Sequence, residues 1–286
     1  MQTICALNPL RQATAGLRRA GGPGARLALV PTMGALHEGH LTLVRRAREL
    51  AEIVTVSIFV NPKQFGPNED LDAYPRQLER DSDLLAAEGV DLLWAPDVAA
   101  MYPDGFATNI SVEGVSAGLC GADRPGHFDG VATVVCKLFN QVAPDIALFG
   151  EKDWQQLAVI RRMARDLDLY APMPDAIIGV ATVREEDGLA RSSRNAYLSA
   201  AQRAAAAALP RAMRAAVARM AAGDAAQPAL DELTAALLAA GFGSVDYAEL
   251  RDADSVAALA EPNGNARLFV AARIGGTRLI DNIPID

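Results

Sequence analysis

A chain of 286 residues, of which 51% are apolar and 22% charged, holds enough hydrophobic material for one large packed domain or two smaller ones and is not a disordered segment. Its formal net charge of −8 argues against a nucleic-acid backbone as the main ligand, although a basic pocket can sit inside an acidic surface. No apolar run approaches the roughly 20 residues that cross a bilayer, and Met1 to Ala20 lacks an apolar core of signal-peptide length, so the expectation is a cytoplasmic protein with no membrane partner.

In chain order, Arg26 to Thr32 reads as a strand. The apolar spacing of Leu43, Val44, Ala47, Leu50 and Ala51 then predicts a helix, with Arg45, Arg46, Arg48 and Glu49 on its other face. Ile53 to Val60 is a β-branched run that stops at Asn61-Pro62, because proline cannot continue a ladder. Helix and strand signals then alternate: helix at Leu78 to Glu88, strand at Val90 to Trp94, helix at Val131 to Val142, strand at Asp145 to Phe149, helix at Trp154 to Leu167. Such alternation predicts an α/β fold with a parallel sheet wrapped by helices. A last β-like run, Ile177 to Val183, leads into the polar stretch Arg184 to Gly188, and the domain boundary is placed there, dividing the chain into 1–183 and 184–286. Beyond it, Ser199-Ala200-Ala201-Gln202 is a capping-box signature opening an Ala-rich helix that Pro210 interrupts, and a second helix is predicted from about Ala229 to Leu238. The tail is β-like, with Gly275-Gly276 suited to a tight hairpin turn between Leu268-Phe269-Val270 and Leu279-Ile280.

The cysteines, Cys5, Cys120 and Cys136, are odd in number and widely spaced, which suggests small buried hydrophobes and not disulfides or a zinc site. Neither a P-loop nor a dinucleotide fingerprint is present, and Gly21-Gly22-Pro23-Gly24 reads as a loop before a strand. The turn Pro31-Thr32-Met33-Gly34-Ala35-Leu36-His37-Glu38-Gly39-His40, however, joins the first strand of this pattern to its helix, the crevice position where such sheets bind ligands. Free backbone N–H groups and the helix dipole stabilise an anion there, the dipole by about 0.3–1 kcal/mol. His37 and His40 can each donate a hydrogen bond to charge building up on an α-phosphate as pyrophosphate is displaced. A zinc-protease reading fails because H-E-x-x-H needs its second histidine where this chain has Leu41. The bland reading of the pair is two structural histidines at a helix start.

A second constellation, Phe149-Gly150-Glu151-Lys152-Asp153-Trp154-Gln155-Gln156, also joins a strand end to a helix start, so both strand ends are expected to face one cleft. Lys152 can meet phosphate as a point charge, Asp153 either positions magnesium or caps the helix, and Gln156 can face a polar substrate. Arg191-Ser192-Ser193-Arg194-Asn195 offers hydroxyls and guanidinium groups for the leaving phosphates, although alone it is also an ordinary polar turn. Phe59 to Phe65 leaves a third strand end with the uncharged amides Asn61 and Gln64, suitable for the hydroxyls and carboxylate of a small acid. Magnesium ligands are not evident. Glu79 and Asp81 are possible metal neighbours, but a charged helix surface is the simpler explanation of both.

Taken together, PTMGALHEGH, FVNPKQF, YPR, RPGHFDGV, KLFN, FGEKDWQQL and SSRNAYLS, in this order from Pro31 to Ser199, resemble the pantothenate synthetase family of ATP-dependent pantoate–β-alanine ligases. The resemblance implies a Rossmann-like nucleotidylyltransferase domain, a smaller α+β C-terminal lid domain, a homodimer, and magnesium with ATP. It further implies that Met33, Gly34, Ala35, Leu36, His37, Glu38, Gly39 and His40 hold ATP, with His40 as proton donor and His37 as its partner. Gly150, Glu151, Lys152, Asp153, Val183, Arg191, Ser192, Ser193 and Arg194 would complete the nucleotide site, Lys152 bridging the phosphates. Gln64, Asn61 and Gln156 would hold pantoate, with Gln64 later meeting β-alanine.

The implied chemistry is attack of the pantoate carboxylate on the α-phosphorus, loss of pyrophosphate, and attack of the β-alanine amine on the pantoyl adenylate to release AMP. Adenylation gives a poor acyl donor a good leaving group and splits one difficult step into two. One departure from the family pattern is Arg191, where an apolar residue usually precedes Ser-Ser-Arg-Asn; its charge either meets the phosphates or points outward. The rival expectations are another adenylyl transferase of the same superfamily and a nucleotide sensor that has lost turnover.

Overall fold

The computed structural model describes residues 1–67, 69 and 71–285. In chain order the elements are β1 (Gln2–Ile4), α1 (Leu7–Gly21), β2 (Leu27–Thr32), α2 (Glu38–Leu50), β3 (Ile53–Ile58), α3 (Leu78–Ala87), β4 (Leu92–Trp94), α4 (Val98–Met101), α5 (Leu119–Asp123), α6 (His127–Val142), β5 (Ile146–Gly150), α7 (Trp154–Asp166), β6 (Ile177–Val180), α8 (Ala200–Ala206), α9 (Ala208–Ala221), α10 (Ala226–Ala239), β7 (Ser244–Asp252), β8 (Ala266–Ile274) and β9 (Thr277–Pro284). Two sheets organise them: a six-stranded sheet in the order β1-β4-β3-β2-β5-β6 and a three-stranded sheet in the order β7-β8-β9.

Every pairing in the large sheet is parallel. Residues Leu27 to Val30 of β2 and Ile53 to Val56 of β3 are fully or almost fully buried, as strands covered on both faces must be. One face carries a core built on Leu10, Leu29, Trp94, Phe139 and Val159, contributed by α1, α6 and α7 as well as the strands. The other carries Val30, Val44, Ala47, Val56 and Leu85, where α2 and α3 pack. The chain leaves β2 through α2 to β3 on one side and reaches β5 on the other only after a long excursion, so the strand order reverses between β2 and β5. In open parallel sheets that reversal opens a crevice at the carboxyl ends of the strands.

The α/β expectation holds, and the predicted elements fall within a few residues of observed ones. Five elements were not expected: β1, α1, α4, α5 and β7. β1, α4 and α5 are only three to five residues long, too short to show a period, and the apolar spacing of α1 is diluted by arginine and alanine along its length. The Ala-rich helix begins with the reciprocal capping box of Ser199 and Gln202. The break comes at Ala207, and Pro210 sits in the first turn of α9, where its missing N–H is harmless. Gly275 and Gly276, at φ 55° and 81°, make the tight turn between β8 and β9. A third core, with Leu209, Met213, Leu233, Leu268 and Val270, joins α9 and α10 to the small antiparallel sheet. Phe269 and Val256 face the other way and belong to the core of the large sheet, so the small sheet is packed onto the main body. Of the cysteines, Cys120 and Cys136 are buried as expected, whereas Cys5 is exposed. No helix among the described residues is long and apolar enough to cross a membrane.

Candidate functional site

The turn after β2 is shaped by two successive left-handed residues, Gly34 at φ 83° and Ala35 at φ 51°. A Cβ on residue 34 would stand 3.1 Å from Asp81 Oδ2 and 3.2 Å from Ile58 Cγ2, so glycine meets both the torsional and the steric requirement. The backbone N–H groups of Ala35 and Leu36 donate to Asp81 Oδ2 and Oδ1 at 2.8 and 2.9 Å. Asp81, in the first turn of α3, is fully buried. It is therefore neither a charge on the helix surface nor a metal neighbour, but the acceptor that fastens this turn; Glu79 alone lies on the exposed helix surface.

His37 caps α2. Its Nδ1 accepts the N–H of Gly39 at 3.1 Å, while His40 Nδ1 accepts the N–H of His37 at 3.3 Å, and the two rings lie against each other at a 37° tilt with centroids 4.2 Å apart. A Cβ on Gly39 would lie 2.9 Å from His37 Cε1, so the bare glycine makes room for the ring. Because each Nδ1 accepts, each neutral imidazole carries its proton on Nε2. Burial, together with Lys152 and Arg191, lowers His37 to a pKa of about 4; burial, together with the neighbouring His37, lowers His40 to about 3. Both rings are thus uncharged hydrogen-bond donors near neutral pH.

The expected set of free backbone N–H groups at this turn is narrowed. Those of Ala35, Leu36, His37 and Gly39 are all spent on acceptors within the protein.

The sheet reversal brings the Lys152 turn to the same crevice. One cleft of about 240 Å³ is lined by Met33, Gly39 and both of these histidines, by Asn61 and Gln64, by Gly150, Lys152, Asp153 and Gln156, and by Val183 and Arg191 to Arg194. A second, contiguous cavity of about 710 Å³ shares Lys152, Asp153, Gln156, Ser192 and Arg194 with it and continues towards the small sheet. Lys152 Nζ lies 3.8 Å from Asp153. Asp153 stands at the start of α7 without a capping hydrogen bond, so the capping alternative is not realised. Arg191 lines the cleft and pairs with Glu185 at 3.1 Å. Several expected residues stand back from the cleft. Gly34 and Ala35 shape the turn, Leu36 is buried in the core beside α2, Glu38 pairs with Arg45, and Glu151 packs beside Gly179.

The amides at the end of β3 form a locked pair. Asn61 Nδ2 donates to Gln64 Oε1 at 3.1 Å and to Gly130 O at 3.0 Å, while its Oδ1 accepts the N–H of Lys63 at 3.2 Å and the hydroxyl of Tyr102 at 2.8 Å. Every donor and acceptor of Asn61 is used inside the protein. Among the described residues Gln64 Nε2 has only the thioether of Met33, a weak acceptor at 3.0 Å, and so keeps donor capacity for a ligand.

Two residues without an assigned role at the sequence level complete the site. His127 Nδ1–H donates to Gln64 O at 2.8 Å and its Nε2 accepts from Arg124 Nη1 at 3.1 Å, while Arg124 is held by a bidentate pair with Glu69 at 2.7 and 2.5 Å. Burial and the adjacent Arg124 cation lower His127 to a pKa of about 4. All three histidines of the chain therefore line one cleft. The RPGHFDGV string contained both Arg124 and His127, but their partner Gln64 lies some 60 residues away in the chain, and no local spacing connects them.

The family model described as pantoate-beta-alanine ligase matches residues 2–284. Among curated relatives, the pantothenate synthetase of Novosphingobium aromaticivorans is 66% identical over 286 residues, covering 100% of this chain and 99% of its own, and that of Sphingopyxis alaskensis is 59% identical over 285 residues with complete coverage of both. A crystal structure of the enzyme from Thermus thermophilus superposes with a TM-score of 0.91 at 49% identity, over 100% of this chain and 99% of that one. That of the ligase from Francisella tularensis, complexed with beta-gamma ATP and beta-alanine, superposes with a TM-score of 0.83 at 34% identity, over 99% and 97%. With a match along its whole length in sequence and in fold, the chain belongs to the pantoate-beta-alanine ligase family.

Proposed function

We propose that this chain joins the carboxyl group of pantoate to the amine of β-alanine with ATP as co-substrate, through a pantoyl adenylate, releasing pyrophosphate and then AMP. The observation that carries the reading is the meeting, in one cleft at the sheet reversal, of phosphate-type donors (His37, His40, Lys152) with the uncharged amide of Gln64. The Francisella relative, solved with beta-gamma ATP and beta-alanine, supports it.

In this reading the pantoate carboxylate attacks the α-phosphorus, the bond to the bridging oxygen breaks, and negative charge grows on the phosphoryl oxygens. His40 and His37 meet that charge with Nε2–H. Being neutral and already oriented, they stabilise it as hydrogen-bond donors with no proton transfer required. This narrows the expected role of His40 from proton donor to hydrogen-bond donor. Lys152 and the Ser192 to Arg194 loop hold the leaving pyrophosphate. Gln64 and Gln156 hold pantoate, and Asn61, whose own groups are all engaged, acts through Gln64 by orienting its amide.

No three histidine, cysteine or carboxylate side chains converge on a metal position among the described residues. A Mg²⁺ brought in with the nucleotide would be met by the carboxylate of Asp153, which lines the cleft beside Lys152. When bound, the ion neutralises phosphate charge. The reading further takes 1–183 as the catalytic domain, 184–286 as a lid shielding the acyl adenylate from water, and the working enzyme as a cytoplasmic homodimer.

The test is pantoate-dependent exchange of labelled pyrophosphate into ATP, followed by AMP release on adding β-alanine. Exchange driven only by a different acid would transfer the assignment to another adenylyl transferase, and ATP binding without exchange to a sensor.

A further inference from the structure

The Lys152 turn is held from the far side by the small sheet. Asn282, on β9 and 3% exposed, donates both hydrogens of its side-chain amide to successive carbonyls of that turn, Glu151 O at 2.9 Å and Lys152 O at 2.8 Å. Its Oδ1 accepts from Arg267 Nη1 at 2.5 Å. Arg267, itself 8% exposed, lays its guanidinium 3.5 Å from the centroid of the Trp154 ring, and the Trp154 indole N–H donates to Ala253 O at 2.7 Å. Residues 151 to 154 are thus gripped at the backbone and at the indole by groups from the C-terminal part of the chain. The preceding residue, Asp281, is 2% exposed and takes a bidentate pair from Arg184 at 2.6 and 3.0 Å. Arg184 bridges to Ala190, directly before the Arg191 to Arg194 loop. Two neighbours on one strand therefore hold the two loops that line the phosphate side of the cleft.

We infer that Asn282 is a positioning residue for adenylyl transfer: its amide sets where the Lys152 ammonium stands relative to the Ser192 to Arg194 loop. An amide is the chemistry this task needs. It supplies two donors for two carbonyls and one acceptor for Arg267, whereas a carboxylate of the same shape would have no donor and would face two carbonyl oxygens. The Lys152 side chain can rotate about its stem, so its useful position depends on a fixed backbone at its root, and a misplacement of about 1 Å at a reacting group can lower rates on the order of 10²-fold. The inference rests on the reading of Lys152 as a phosphate ligand, and the experiment separates the two.

Pantoate-dependent pyrophosphate exchange is measured for the wild type, Lys152→Ala, Asn282→Ala and the double variant, alongside AMP release from pantoyl adenylate supplied with β-alanine. Asn282→Ala is expected to slow exchange about tenfold to a hundredfold with little change in the pantoate KM and to leave the second half-reaction within about twofold of wild type. In the double variant exchange is no slower than in Lys152→Ala alone, because a residue acting through Lys152 has nothing left to position. Losses that multiply, or equal slowing of both half-reactions, would overturn the inference. Full activity in Lys152→Ala would sink the reading of Lys152 itself, a different result. Should Asn282→Ala fail to fold, Arg267→Lys withdraws the guanidinium fork from Asn282 while keeping a cation beside Trp154, and the same cycle with the same outcomes decides the matter.

Discussion

The carboxylate of Asp81 accepts the backbone N–H of Leu36 at 2.9 Å across 45 residues of sequence, and through it the first turn of α3 shapes the loop that presents His37 and His40. This is an architectural use of a buried charge: two N–H groups, one buried at Leu36 and one partly buried at Ala35, have an anionic partner. Asp81→Ala should strand both donors and lower stability by about 1.5–3 kcal/mol, with a comparable loss of pyrophosphate exchange; Asp81→Asn, keeping one acceptor oxygen, should fall between. Urea denaturation of the two variants checks the order, and a fully stable Asp81→Ala would contradict it.

His40→Ala removes the Nε2–H donor whose partner charge develops during transfer. Turnover should fall about 10²–10³-fold while ATP binding changes little, because the bond strengthens chiefly in the transition state. Calorimetric titration with a non-hydrolysable ATP analogue, set beside exchange rates, separates the two effects. An equal loss in affinity would mean that His40 merely binds.

Acid sensitivity follows from the histidines. In the folded chain His37 and His127 titrate at about 4 and His40 at about 3, against 6.5 for an unperturbed side chain. The unfolded chain therefore takes up more protons between those values. Their contribution leaves stability unaffected above about pH 6.5 and lowers it progressively as pH falls towards 4. Denaturation midpoints measured from about pH 8 down to about pH 4 should show this slope, and His127→Gln should reduce it. An unchanged slope in that variant would show that His127 is not buried as a neutral ring.

Gly130 lies against the turn that carries Asn61 and Gln64. A Cβ there would stand 2.2 Å from Lys63 O and 2.7 Å from Gln64 N, both backbone atoms, so α6 and the turn must separate to admit it. Gly130→Ala should therefore displace Gln64, raise the pantoate KM more than the ATP KM, and destabilise the fold by about 1–3 kcal/mol. Steady-state kinetics with each substrate varied in turn would reveal it.

Chelation should stop turnover without loosening the fold. With no preformed cage among the described residues, the melting temperature of the nucleotide-free protein should be the same with and without EDTA, while pyrophosphate exchange falls to background until Mg²⁺ is restored.

Local sequence determined the strand, turn and helix at Leu27 to Leu50 and again at Ile146 to Asp166, because apolar period and proline or glycine punctuation act over a few residues. It also determined that two histidines stand at one helix start and a lysine at another, and these motifs in order were enough for family membership. Which groups are free to meet a ligand was decided only by the tertiary structure. Asp81 reads as surface charge in a helical window yet is buried, and it takes the N–H groups of Ala35 and Leu36 in the turn that leads into α2. Asn61 and Gln64 read as equivalent amides, but Tyr102 and Gly130 saturate the first and leave the second available. The grip of Asn282 on the Lys152 turn spans 130 residues, a distance at which no periodicity carries information. Hydrogen-bonding capacity is finite, and its allotment between protein and ligand is settled only when residues remote in the chain compete for the same donors.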